Sequence, residues 1–123
     1  MSEIRATTIS DETGNGPIAL TKQSAAKAWN NFNGTGTVTI RGSFGVSSIA
    51  DISTGRYDTN LTNAMSSTDD AVAGGHAGQS SALFGAAVRY GFQTTSKYNQ
   101  YTGDNATISD VEFVFVTIHG DLA

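Results

Sequence analysis

Apolar residues in this chain recur mostly at every second position, in short runs broken by glycine, asparagine and serine. Val38 and Ile40 alternate with Thr37, Thr39 and Arg41, which is the pattern of a strand with one apolar and one polar face. Phe44, Val46 and Ile49 follow, with Gly42 and Gly45 marking a bend or bulge. Tyr57, Thr59 and Leu61 form another alternating run after the turn Ser53-Thr54-Gly55. The stretch from Ala71 to His76 is a weaker strand because its glycines have no side chain to pack. Leu83-Phe84 and Val88 to Phe92 add one or two more, and a loop rich in Tyr, Asn, Gly and Asp is expected from Lys97 to Ser109. Val111 to Ile118 is apolar on both faces, as expected of a central strand, and this puts Phe115 in the dry interior. About seven short strands with turn signals between them predict an all-β fold, an antiparallel, jelly-roll-like β-sandwich. Its expected core set is Val38, Ile40, Phe44, Val46, Val88, Phe92, Val111, Phe113 and Phe115.

The pattern differs before residue 27. Ile4 and Ile9 precede the turn Thr13-Gly14-Asn15-Gly16-Pro17, and Ile18 and Leu20 follow it, which predicts a hairpin. So little apolar surface cannot hold a two-stranded hairpin together alone, so the hairpin needs a surface to lie on. Thr21 to Trp29 reads as one or two turns of helix, capped by Thr21 or Ser24 and rich in the helix formers Ala25, Ala26 and Ala28. Residues 1–26 are therefore expected to form an attachment or oligomerisation arm, with a knob over 27–123. The arm's candidate assembly residues are Ile4, Ile9, Ile18, Leu20, Ala25 and Ala28. Trp29 is expected to anchor the junction between arm and knob in the core.

A chain of 123 residues fits one domain. Charged residues make up only 15%, so neutral polar groups must supply most of the surface. Seven basic residues are scattered among eleven acidic ones, with no basic stripe to neutralise phosphates, so nucleic-acid binding is not expected. There is no cysteine for disulfides, thiol catalysis or cysteine-ligated metal. No apolar run is long enough to cross a bilayer as a helix, and the N-terminus lacks a signal-peptide core, so folding in a cytoplasm without membrane insertion is expected.

Candidate chemistry is sparse. His76 lies shortly after Asp69 and Asp70, but the spacing lacks the alternating oxygen ligands of a calcium loop, and a solvated loop histidine is the simpler expectation. His119 beside Asp121 reads as an ordinary surface or interface residue. Neither glycine-rich stretch carries a phosphate-binding lysine, and no serine sits in a nucleophile elbow. Asp58 and Glu112 are nominal carboxylates for glycoside cleavage, with nothing further to pair them. No metal, cofactor or hydrolytic activity is therefore expected. Tyr98 and Tyr101 are the candidates for glycan or partner contact, as aromatics at a loop tip able to stack on a sugar ring or rim an interface.

The stretch Ala26-Lys27-Ala28-Trp29-Asn30-Asn31-Phe32-Asn33-Gly34-Thr35-Gly36-Thr37-Val38-Thr39-Ile40, continued by Phe44-Gly45-Val46-Ser47-Ser48-Ile49, resembles a segment that recurs in tailed-bacteriophage virion proteins of the tail-fibre type. The ending Phe115 to Asp121 is similar to the terminal strand of the same proteins, whereas residues 62–109 do not share the likeness. The resemblance implies a non-enzymatic structural protein located in the virion. One form is a small tail-fibre protein, its arm docked on tail or baseplate and its knob on host surface glycans. The alternative is a capsid decoration protein bound to the major capsid protein, favoured by the lack of a shaft between arm and knob. A small lectin-like or hydrolytic domain outside any virion is a third reading. A homotrimer is expected, because fibre-like phage proteins commonly meet around a threefold axis and cyclic closure avoids open-ended association.

Overall fold

The computed structural model describes residues 25–69, 71–78, 86–87, 91–104 and 107–123. The expected hairpin, with Ile4, Ile9, Ile18 and Leu20, lies outside the described residues, as does Val88. The described part is all β. It contains β1 (Ala28–Asn33), β2 (Thr39–Phe44), β3 (Val46–Ser53), β4 (Arg56–Leu61), β5 (Val72–Gly78) and β6 (Ala86–Ala87). Then come β7 (Phe92–Thr94), β8 (Lys97–Tyr101), β9 (Gly103–Asp104), β10 (Thr107–Ile108) and β11 (Phe113–His119).

Two antiparallel sheets form a sandwich, one of five strands in the order β2-β1-β11-β5-β6 and one of four in the order β3-β4-β8-β7. Hairpins alternate between them: β1-β2 in the first sheet, β3-β4 in the second, β5-β6 in the first and β7-β8 in the second. The last long strand, β11, then enters between β1 and β5. The passage from β2 to β3 turns at Gly45, where φ is 66°. A side chain there would also meet the Lys27 carbonyl at 2.6 Å, so the change of sheet depends on glycine at this position.

The interior holds two apolar clusters. Ala28, Leu61, Met65, Tyr98, Val116 and Ile118 make one, and Phe32, Tyr57, Ala77, Val111 and Val114 the other. In the second, Phe32 of one sheet meets Tyr57 of the other edge to face, with ring centres 5.1 Å apart. The Tyr57 hydroxyl lies 2.9 Å from both the Gly34 carbonyl and Asp110 Oδ1, either of which can accept its proton. Burial, then the neighbouring Asp110 carboxylate, pushes this hydroxyl far above its ordinary pKa, so it stays a donor.

Several expectations need correction. Ala28 and Trp29 lie in strand β1, not in a helix, and the described residues contain no helix. Pairing of Ala28 to β11, and of Trp29 to both β11 and β2, satisfies this backbone and overrides the local helix preference of alanine. Ala28, named for the arm, is thus part of the sandwich core, while Ala25 is exposed. Trp29 points outward and is 40% exposed. The final strand is central, but Phe115 is 42% exposed and does not lie in the interior. Val114, Val116 and Ile118 face inward and Phe115 and Thr117 outward, because a strand sends successive side chains to opposite faces. Ile40 and Phe44 are also exposed, on the edge strand β2. The expected loop from Lys97 to Ser109 contains strands β8, β9 and β10.

Candidate functional site

The residues proposed from sequence do not form one site. Tyr98 and Tyr101 sit in strand β8, not at a loop tip. Tyr98 is 2% exposed and packs in the core against Phe92, so it is not available for stacking. Tyr101 is half-buried under the Arg56 guanidinium, 4.9 Å from its ring centre. Asp58 is buried on β4, where Oδ1 accepts from Asn99 Nδ2 at 2.6 Å and Oδ2 faces Lys97 Nζ at 3.1 Å. Glu112 immediately precedes β11 in the other sheet. His76 is in strand β5, opposite Phe115, and His119 is opposite Val72 on the same ladder. Four residues of strand separate them, roughly 13 Å, so they do not share a cleft. Among the described residues no three His, Cys, Asp or Glu side chains gather as metal ligands.

The structure instead brings together residues that the sequence pattern left apart. The outer face of the five-stranded sheet carries a trough of about 560 Å³ across β1, β11 and β5. Its side chains fall into two rows, fixed by the strand register. One row runs Trp29, Thr117, Gly74, and the next runs Asn31, Phe115, His76. Trp29 and Phe115 therefore lie on one diagonal and Asn31 and Thr117 on the other, with His76 beside Phe115. Diagonal neighbours in a sheet stand roughly 7–8 Å apart.

Local packing fixes each ring. The Trp29 indole leans across Gly42 of β2, where a methyl group would come within 3.3 Å of its edge. Phe44, 58% exposed, lies beside Trp29 in register and extends the row outward. Phe115 stacks along its own strand on Phe113, with centres 6.3 Å apart and planes 11° from parallel. Arg41 closes that end, its guanidinium 4.5 Å from the centre of Phe113 and donating to the Glu112 carbonyl at 2.7 Å.

Glycine shapes the floor. A methyl at Gly74 would meet nothing within 4 Å, so the absence of a side chain there leaves open space. At Gly75, by contrast, a methyl would run into the Phe115 carbonyl, so close approach of β5 to β11 requires glycine. The Thr117 and His76 side chains are exposed, whereas the Asn31 amide oxygen is not. Thr117 Oγ1 makes only a long 3.4 Å contact with the Gly74 carbonyl, and Asn31 Oδ1 is covered yet has no hydrogen-bond partner. The arrangement can hold a flat, partly apolar ligand that also bears hydroxyl groups. Trp29 and Phe115 belong to opposite ends of the knob sequence, and no local motif joins them. The available signal was their parity: each alternates with residues of the core.

Comparison of the chain with models of known protein families, with characterised proteins and with solved structures finds no match.

Proposed function

We propose that this chain is a non-enzymatic structural protein of a tailed-phage virion, of the small tail-fibre type, whose knob meets the host surface. The observation that carries the reading is the aromatic outer face of the five-stranded sheet. Trp29, Phe44 and Phe115 keep two-fifths or more of their surface in water. A sandwich already filled by Phe32, Tyr57, Val114, Val116 and Ile118 has no need of them there. Exposed apolar patches of this kind mark binding surfaces. Trp29, Asn31 and Phe44 come from the segment that resembles tail-fibre proteins, which ties the likeness to the surface. Residues 1–26 would then supply attachment to tail or baseplate and contacts among three copies.

Labelling purified virions with antibody against the knob tests the reading. Label at the tail tip, with on the order of a dozen copies or fewer per particle, is the expected result for a symmetric tail assembly. Hundreds of copies spread over the head would make it a shell decoration protein bound to the major capsid protein. Absence from the particle would overturn both.

A further inference from the structure

We infer that the trough between Trp29 and Phe115 is a binding site for a neutral oligosaccharide. The inference rests on the host-contact reading and names the ligand class of that surface. A pyranose ring presents an apolar patch of C–H groups on one face and hydroxyls around its rim. The trough offers the matching alternation, with aromatic side chains at Trp29 and Phe115 and exposed hydrogen-bonding groups at Thr117 and His76. Its volume of about 560 Å³ lies within the range of small-ligand sites, roughly 300–1,000 Å³.

Charge narrows the ligand further. Of the described side chains lining the trough, His76 is the one titratable group, and no lysine, arginine or carboxylate is among them. Arg41, at the Phe113 end of the face, is held by that ring and by the carbonyls of Phe32 and Glu112. An acidic polysaccharide would find no counter-charge in this lining, whereas a neutral one needs none.

The polar groups also argue against a second copy of the chain as occupant. A dry protein interface would bury the exposed Thr117 hydroxyl and His76 ring, each of which would then need a partner. Sugar hydroxyls supply both donors and acceptors at that spacing. The Asn31 amide gives up no internal bond from its oxygen if it turns toward a ligand. The open floor at Gly74, next to Thr117 and diagonal to Phe115, gives a ring room to settle beside the Phe115 side chain.

Trp29 is the single tryptophan of the chain, so its fluorescence reports directly on the site. The full chain is titrated with neutral hexasaccharides of glucose, galactose, mannose, rhamnose and N-acetylglucosamine, and with polygalacturonate as a charged control. At least one neutral hexasaccharide should shift the Trp29 emission to the blue and saturate below about 10 mM, while polygalacturonate does not. Gly74→Val should abolish the response, because its Cβ stands in open space, its methyl groups fill the floor and valine suits a strand. Phe115→Ala should weaken binding by about tenfold or more.

No shift with any neutral sugar overturns the proposal. If emission then varies with protein concentration, the occupant is a second copy. Saturation that survives Gly74→Val also overturns it, since the sugar would be bound elsewhere. Sugar binding by a protein absent from virions would sink the tail-fibre reading alone. Virion label at the tail tip without sugar binding would sink the present inference alone.

Discussion

The two faces of strand β1 are built the opposite way from a simple oil-drop picture. Its inner face carries Ala28, Asn30 and Phe32, all buried, and its outer face carries the large indole of Trp29. Inside, Asn30 Nδ2 donates to Thr59 Oγ1 at 2.9 Å, and Gln100 Nε2 reaches the same oxygen at 3.0 Å. These three side chains lie between the two apolar clusters, so the core is divided by a polar layer. Outside, the aromatics of β1 and β11 face solvent. Register, more than hydrophobicity, therefore decided which residues were buried. A slip of one residue in β1 would carry Trp29 inward and take Asn30 away from Thr59. The polar layer acts as a key for the alignment of the two sheets, a role consistent with the known use of buried polar groups in fixing register.

The inner face should be most sensitive at Phe32. Its side chain is fully buried against Tyr57, so Phe32→Ala should cost about 3–5 kcal/mol, from lost transfer energy and the cavity together. That is a large share of the roughly 5–15 kcal/mol that stabilises a domain. Urea unfolding would measure it. A loss below about 1 kcal/mol would mean that the interior has been assigned to the wrong face.

A smaller effect is expected in the polar layer. Thr59→Val keeps the shape but removes the acceptor shared by Asn30 and Gln100. One dry donor should cost about 1–3 kcal/mol, less than the loss at Phe32. Asn30 Oδ1 and Gln100 Oε1 accept from no protein donor, so one amide can turn to the other's oxygen and the net loss stays near that of a single dry donor. Adding Asn30→Leu and Gln100→Leu to Thr59→Val removes the orphaned donors and should recover most of the loss. Failure to recover would show that the layer fixes sheet alignment by shape and not through its hydrogen bonds.

Much of this architecture was legible in the sequence, but not its sidedness. Alternation in Val38 to Ile40 and in Tyr57 to Leu61, with glycine turns between runs, is sufficient for an antiparallel all-β fold. The central place of β11 follows from the apolar run Phe113-Val114-Phe115-Val116, which has apolar residues on both faces. The choice of interior does not follow, because Val114, Val116 and Ile118 on one face compete with Phe113 and Phe115 on the other. A period of two separates the faces without saying which one meets the second sheet. The helix expected through Ala28 failed for a related reason, since alanine's preference is local and the pairing to β11 spans the whole knob. His76 was expected in a loop, because its glycine-rich run has almost no side-chain pattern to reveal strand β5. The trough was invisible because its residues come from three strands that only the tertiary register brings together.

The smallest effect is the one that most directly separates the two faces. Phe115→Ala removes an aromatic ring as large as that of Phe32, from the strand paired to Phe32's own, but on the outer side of the sheet. The ring's neighbours there are Phe113, on which it stacks, and the cross-strand residues Asn31 and His76. Cross-strand pairs contribute only about 0.2–1 kcal/mol, and a half-exposed ring leaves no sealed cavity behind. Stability should therefore fall by less than about 1 kcal/mol, with the slope of the urea transition unchanged. Measured beside Phe32→Ala, the pair compares one residue type on two faces of one sheet. A loss of about 3 kcal/mol or more at Phe115 would place the ring in a dry environment. Repeating the measurement at roughly tenfold lower protein concentration would then identify the cause, because an interface between copies weakens on dilution. A loss that shrinks on dilution means that a second copy covers the face, and one that persists means that Phe115 is packed within the chain itself.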